Sequence, residues 1–502
     1  MKRLPRLLLP LFFALPALAD PGQPIAEVTS KFDALASQMF QESGAPGASV
    51  AIVYKGEVVY RKGFGVRKAG ETAPVDADTV FQLASCSKPI SSTGVAALVS
   101  QGKLKWEDRI QAAYPEFAVG DSWIASHLTY RDLLSHHSGL PEFAGDILED
   151  LGYSRGEILH RLRLLPTAYA FRDGYAYTNF GFTAGAEAAS RAAGLSYEDM
   201  MQQTVFGPLG MTSTSARFED FVAHPNHAST HQVSKGKAVP TVRMPQAQAP
   251  AGGVSSSATD MARWMNLHLA KGKVDGQELI SPEALGETYQ IHSVTGKNPA
   301  NFSASGYYGL GWNVSFDERG RMKLGHSGAF EIGARTAVTL LPQEEVGIVV
   351  LTNSYPNALP EALSASFMKL YDGQTADLEF ARKVNGQVIA MLESMLGGEP
   401  PATPPSRPSP PQALGSYQAT YANEFYGDAQ VVAGAGGLVL KLNGKSFDLK
   451  HRDRDVFLAQ AAPGVFEDLS SFEVQFATDG GGRVTGFRQH GLAEPFPWFG
   501  RQ

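Results

Sequence analysis

Ser85 and Lys88 stand three residues apart in Phe81-Gln82-Leu83-Ala84-Ser85-Cys86-Ser87-Lys88-Pro89. If that stretch is helical they share a face, and a hydroxyl comes within hydrogen-bond reach of an amine. Such a pair supplies a nucleophile and a base to activate it. Apolar Phe81, Leu83 and Ala84 before the pair, and Pro89 just after it, predict that a helix begins here, because proline is tolerated in a first turn. Ser85 then sits near the positive end of the helix, which favours an alkoxide, while burial pushes a lysine toward its neutral, proton-accepting form. The spacing alone is weak, since Ser100-Gln101-Gly102-Lys103 and Ser366-Phe367-Met368-Lys369 repeat it. Ser100 falls at a helix end beside Gly102, where the carbonyl end of the dipole opposes an alkoxide, and Ser366 is expected on the surface of a late amphipathic helix.

Two further clusters carry chemistry. Tyr177-Thr178-Asn179 is expected in a loop before a helix at Phe182. A phenol moves protons if nearby cations lower its pKa, and an amide orients a lysine or a substrate carbonyl. Tyr355-Pro356-Asn357 and Tyr421-Ala422-Asn423 share this spacing and are expected to be turns with packed tyrosines. His326-Ser327-Gly328-Ala329 follows strand-like Met322 to Gly325. There Gly328 lets a substrate backbone approach closely, and the Ala329 amide can join the Ser85 amide as an oxyanion hole. His137-Ser138-Gly139 repeats the tripeptide at a predicted helix end and is expected to be structural. Cys86, next to the serine, is read as a small core residue.

The elements that must position these groups follow from periodicity. Ile25 to Phe40 has helical spacing, and Ala48–Tyr54 and Val58–Phe64 read as a hairpin. From about 105 to 300 the chain is mostly helical, with an irregular excursion over Phe218–Pro250 and a helix opening at Thr259 or Asp260. Strand character returns at Gly309–Phe316, Ala334–Leu341 and Val346–Thr352, followed by helices at Ala358–Leu370 and about 376–396. Strands at both ends with helices between predict an α+β fold, one antiparallel sheet flanked by helices and carrying a helical insertion. Prolines crowd residues 399–412 and predict a stiff linker. Short alternating runs separated by glycines over 413–502 predict a separate all-β barrel or sandwich.

Composition bounds the rest. The chain has 502 residues, 43% of them hydrophobic, enough for two or three domains. A net charge of −7, with Lys and Arg scattered, argues against nucleic acid or a polybasic membrane patch and for a small-molecule or peptide substrate. Lys2, Arg3 and Arg6, an apolar run from Leu7 to Leu18 and Ala17-Leu18-Ala19 have the order of a secretory signal peptide. The mature chain is expected to begin at Asp20 and to be exported, periplasmic or secreted, without a stable membrane span. With Cys86 as the one cysteine, no intramolecular disulfide forms.

The ordered set Ser85-x-x-Lys88, Tyr177-x-Asn179, His326-x-Gly328 resembles the serine β-lactamase and penicillin-binding-protein superfamily, in particular the branch of class C β-lactamases, DD-peptidases, D-aminopeptidases and esterases. Leu133 to Pro141, Phe206 to Met211, Ala251-Gly252-Gly253-Val254 and Tyr308 to Trp312 add to the likeness. The resemblance implies a β-lactamase/transpeptidase-like domain over about 20–398 and acylation of Ser85 followed by hydrolysis. Lys88 and Tyr177 would share proton transfer and Asn179 would position the lysine and the substrate amide. His326, Ser327, Gly328 and Ala329 would line the substrate site, with no metal or cofactor. Residues 413–502 resemble the lipocalin-like domain of some members, which shapes access or oligomerisation. The histidine at 326, where class C β-lactamases carry lysine, points to a peptidase-like member cleaving D-amino-acid-containing or cell-wall-type peptides. A small-ester esterase or a β-lactamase is the alternative, and a non-catalytic penicillin-recognising sensor or scaffold is the reading from another class.

Overall fold

The computed structural model describes residues 24–234, 236–296, 306–396, 405–461, 471–492 and 496–502. The expected signal segment and residues 399–404 of the expected linker lie outside the described residues.

Helix α1 (Ile25–Ser43) ends at Gly44, whose φ of 70° makes the left-handed turn that glycine adopts without strain. It leads into β1 (Gly47–Tyr54) and β2 (Glu57–Gly65). The chain then leaves the sheet for a long, mostly helical excursion. It contains α2 (Ser87–Ser100), α3 (Asp146–Asp150), α4 (Asn179–Ala192) and α5 (Ala258–Leu269). It returns through β3 (Ser293–Gly296), β4 (Gly306–Tyr308), β5 (Asn313–Phe316), β6 (Met322–Phe330), β7 (Ala334–Leu341) and β8 (Val346–Thr352), and closes with α6 (Leu359–Tyr371) and α7 (Leu378–Leu396). The eight strands form one antiparallel sheet in the order β2-β1-β8-β7-β6-β5-β4-β3, so the two ends of the domain meet where β1 pairs with β8. β8 is buried along its whole length, as expected of a strand covered on both faces. α1 and α6 cover one face, with Phe32 packed edge-on against Phe367, and the helical region covers the other.

Three expectations need correction. The strand expected over Gly309–Phe316 is broken, because residues 309–312 turn away at Gly311 (φ 80°) and pairing resumes only at Asn313. The excursion over 218–250 contains a regular hairpin, Thr230–Ser234 with Lys237–Thr241. Ser366 is fully buried in α6, not on its surface.

At the C-terminus eight strands close into a barrel. They are β9 (Ala419–Ala422), β10 (Ala429–Gly434), β11 (Gly437–Leu442), β12 (Lys445–Asp453), β13 (Val456–Gln460), β14 (Ser471–Thr478), β15 (Val484–His490) and β16 (Trp498–Arg501). Each pairs with its sequence neighbours, and β9 pairs with β16 to remove the edges. Alternate residues point inward, and Tyr417, Phe457, Phe476, Phe487 and Phe499 fill the interior, Phe487 and Phe499 stacking at 4.5 Å. Residues 409–412 lie against this barrel, the Ser409 amide donating to Asp453 and the Gln412 amide to the Tyr417 hydroxyl. No helix among the described residues is long and apolar enough to cross a membrane.

Candidate active site

Ser85 lies in a single 3-10 turn, Ala84–Cys86, that runs directly into α2. The turn is forced: Ala84 has a φ of +47°, a left-handed conformation that costs a residue with a Cβ about 1–3 kcal/mol. Surrounding strands hold it there. The Leu83 amide donates to the Val254 carbonyl (2.9 Å) and the Thr336 hydroxyl of β7 to the Leu83 carbonyl (2.6 Å), while Phe81–Gln82 pairs with Ser255–Ser256. β6 passes so close that a Cβ on Gly328 would stand 2.2 Å from the Leu83 oxygen and 3.0 Å from the Ser85 amide nitrogen. Only glycine admits that approach.

α2 is buried nearly all round, and Lys88 on its first turn is fully buried. Its Nζ donates to Asn179 Oδ1 (2.6 Å) and to the Ala251 carbonyl (3.0 Å), and lies 3.2 Å from Ser85 Oγ. Loss of water, only partly opposed by the Asp146 carboxylate, pushes its pKa down to about 7. On the other side of the serine, the Tyr177 hydroxyl donates to Ser85 Oγ at 2.8 Å. Burial raises this phenol well above its ordinary value. That reverses the expectation that cations lower it: the nearest cation, Lys88, sits 4.5 Å from the ring centre but is itself half neutral near pH 7, and desolvation outweighs it.

Asn179 is not in a loop. It is the first residue of α4, whose cap is the Thr178 hydroxyl accepting from the Gly181 amide. Its amide spans two charged partners, accepting from Lys88 through Oδ1 and donating to Asp146 Oδ2 (2.7 Å) through Nδ2.

His326 lies on β6, 6% exposed. Its Nδ1 is 2.7 Å from the Ser327 carbonyl, which only an N–H can satisfy, so Nε2 accepts from the Tyr308 hydroxyl at 3.0 Å. Burial, reinforced by the Lys88 charge, pushes its pKa down to about 3, so the ring is neutral. Strand alternation puts Ser327 and Ala329, both half-buried, on the other face of β6 from His326 and Gly328. β5 pairs with β6 only over Met322–Gly325, whereas β7 continues to Phe330. The edge over 326–330 opposite β7 therefore flanks the Ser85 turn instead of another strand.

Ser85, Lys88, Tyr177, Asn179, His326 and Gly328 thus converge on one point. Cys86 faces away, buried, its Sγ 3.2 Å from the His326 carbonyl, and burial raises its thiol to about 12. His137 stays outside, but its neighbour His136 does not: it accepts from the Thr178 amide and its ring stands 4.6 Å from that of Tyr177. Sequence reasoning missed His136, Asp146 and Tyr308, and the role of the Ala251 carbonyl. Tyr308 and Ala251 at least lay in the segments that carried the family likeness, while nothing local marks Asp146. Among the described residues, no group of three or more His, Cys, Asp or Glu is placed to hold a metal ion.

Known proteins resemble this chain in sequence and in fold. The family described as beta-lactamase matches residues 32–371, and a domain of unknown function, DUF3471, matches residues 403–499. Penicillin-binding protein 4 of Amycolatopsis lactamdurans is 29% identical over 333 residues, 64% of this chain and 84% of the relative. The D-alanyl-D-alanine-carboxypeptidase/endopeptidase AmpH of Escherichia coli (strain K12) is 26% identical over 349 residues, 67% of this chain and 87% of the relative. The octameric penicillin-binding protein homologue from Pyrococcus abyssi shares the fold with a TM-score of 0.61 at 19% identity, over 94% of this chain and 99% of that one.

Proposed function

The chain belongs to the beta-lactamase family and is a serine hydrolase, and from that premise we propose that it cleaves peptide amides through an acyl-Ser85 intermediate outside the cytoplasm. The observation that carries the reading is the asymmetry of the two groups on Ser85 Oγ: an amine that is half neutral near pH 7 on one side and a phenol that stays protonated on the other. Lys88 takes the serine proton as Oγ attacks the substrate carbonyl. The developing oxyanion is met by the Ser85 and Ala329 amides, each such donor being worth about 10²- to 10³-fold. As the tetrahedral intermediate collapses, the C–N bond breaks, Tyr177 passes its proton to the leaving nitrogen, and Lys88 returns to the phenol the proton it took from Ser85. Water then attacks the acyl carbonyl, Lys88 accepts its proton, and Ser85 leaves re-protonated. Asn179, held by Asp146, keeps the amine on its target.

A retained phenolic proton suits an amine leaving group, which must be protonated, better than the phenolate of an activated ester, which need not be. A neutral His326 is a poor partner for the carboxylate of a β-lactam. The name of one relative, a D-alanyl-D-alanine-carboxypeptidase/endopeptidase, supports a D-alanyl peptide as substrate. Export rests on the order of residues in 1–19. The test is labelling by a fluorescent phosphonate, with a panel of D-alanyl amides, short p-nitrophenyl esters and nitrocefin. Labelling that disappears in Ser85→Ala, with amides turned over best, is the expected result; equal labelling of both proteins overturns the nucleophile. Turnover of esters alone makes the protein an esterase, and peptide binding without any turnover makes it a sensor.

A further inference from the structure

The short helix α3 stands between the barrel and the catalytic lysine. Its two ends are hinged on left-handed glycines, Gly145 (φ 92°) and Gly152 (φ 90°). Two of its carboxylates lead to two different acceptors of the Lys88 amine. Asp146 holds Asn179 by the 2.7 Å bond already described, and Asn179 Oδ1 accepts from Lys88. Glu149, 8% exposed, accepts from the Gln248 backbone amide at 3.0 Å and from the Gln248 side chain, and pairs with Arg243 at 2.6 Å. The Gln248 carbonyl in turn accepts from the Ala251 and Gly252 amides, both at 2.8 Å, and so shapes the turn that presents the Ala251 carbonyl to Lys88.

The segment that follows α3 is gripped by the barrel from two sides. At the tip of the β11–β12 hairpin, Asn443 sits in a left-handed turn (φ 45°) and donates its side-chain amide to the Leu151 carbonyl at 3.1 Å. From the β9–β10 connection, the Tyr426 carbonyl accepts from the Tyr153 hydroxyl at 2.7 Å. Arg161, stacked 4.6 Å over the Tyr153 ring, donates to the Phe425 (2.7 Å) and Glu424 (3.0 Å) carbonyls. A Cβ on Gly427 would stand 2.5 Å from the Tyr153 oxygen, so this contact also requires a glycine on the barrel. Leu148, Leu151 and Tyr153 belong to the same buried cluster as Phe425 and Tyr426.

We propose that the barrel is a positioning element for the reaction: by clamping residues 151–153 through Asn443 and Tyr426 it holds α3, and α3 holds the acceptors that aim Lys88 at Ser85. The inference rests on Lys88 acting as the base. Tyr153 and Asn443 are then positioning residues remote from the substrate. A five-residue helix between two left-handed glycines has little stability of its own, so its orientation is set by what packs on it.

The test uses the full chain carrying Tyr153→Phe and Asn443→Gly. The first removes only a hydroxyl, and the second keeps the left-handed turn while removing the amide. The rate of phosphonate labelling of Ser85 should fall about 3- to 10-fold, and amide hydrogen exchange over residues 146–153 should quicken. On an Asp146→Asn background, which weakens one of the two routes from α3 to Lys88, the same two substitutions should cost a smaller fold-loss than on the parent chain, because residues acting through one chain of contacts are not additive. Labelling within about 2-fold of the parent, or the same fold-loss on both backgrounds, overturns the proposal. Each single substitution supplies the same comparison if the double variant does not fold. Lys88→Ala run in parallel separates the two ideas: if it labels like the parent, the lysine reading fails, whereas if it is silent and the barrel variants match the parent, only the barrel proposal fails.

Discussion

At the scale of residues, the chemistry turns on which of the groups around Ser85 holds a proton. With the Lys88 amine at about 7 and only its neutral form able to accept, acylation should rise as pH increases through about 7 and level off above it. His326, at about 3, is neutral throughout that range, so His326→Gln should weaken turnover without moving the limb near 7. A stopped-flow or labelling profile checks both, and a limb that shifts with His326→Gln would mean that the histidine is the titrating group. Tyr177 makes a complementary prediction. Tyr177→Phe should lower amide turnover by about 10²- to 10⁴-fold, the usual range for a positioned proton donor, and lower p-nitrophenyl ester turnover much less. Equal losses on both substrates would show that the phenol orients Ser85 instead of protonating the leaving group.

At the scale of elements, the site is a junction of one strand, β6, with the N-terminal ends of two helices, α2 and α4. β6 brings a backbone without a side chain against the Ser85 turn, and α2 carries Lys88 into a place that water does not reach. Gly328→Ala inserts a methyl 2.2 Å from the Leu83 oxygen, so either β6 or the Ser85 turn must move. The expected outcome is a loss of phosphonate labelling of about 10²- to 10³-fold, as for a lost oxyanion donor. The accompanying destabilisation, read by urea unfolding, should be about 1–3 kcal/mol, the usual cost of overpacking. Near-parental labelling would show that the strand and the turn can separate freely. The same closeness explains why the Ala84 strain is tolerated: bonds from Val254 and Thr336 on either side leave the chain no relaxed alternative.

At the scale of the whole molecule, one buried cluster runs from the helical region through Tyr153 into the barrel, whose interior is packed with aromatic rings. That interior makes the barrel a solid body able to press on α3. The proposed export is tested at this scale too. Expressed from its full sequence in a bacterial host, the protein should be recovered outside the cytoplasm with Asp20 as its first residue, by fractionation and N-terminal sequencing. A cytoplasmic chain that begins at Met1 overturns that expectation.

Much of the site was legible in the sequence because its spacing is local. Ser85 and Lys88 are one helical turn apart, Tyr177 and Asn179 flank the cap of α4, whose start was expected later, at Phe182, and His326 and Gly328 share one face of one strand, so short-range geometry keeps the members of each pair close together. The α+β sheet and the C-terminal barrel were readable for the same reason, as periods of 3.6 and 2. Asp146 was not readable, because nothing in Asp146-Ile147-Leu148-Glu149-Asp150 reveals that it reaches Asn179, and the role of Tyr308 depends on a strand reversal at Gly311. The protonation states were decided by the tertiary structure alone. Burial lowers Lys88 and His326 and raises Tyr177, and burial depends on how distant segments close over a residue. The sequence by itself determined which groups can react; tertiary packing, by excluding water from them, decided which of them carries the proton.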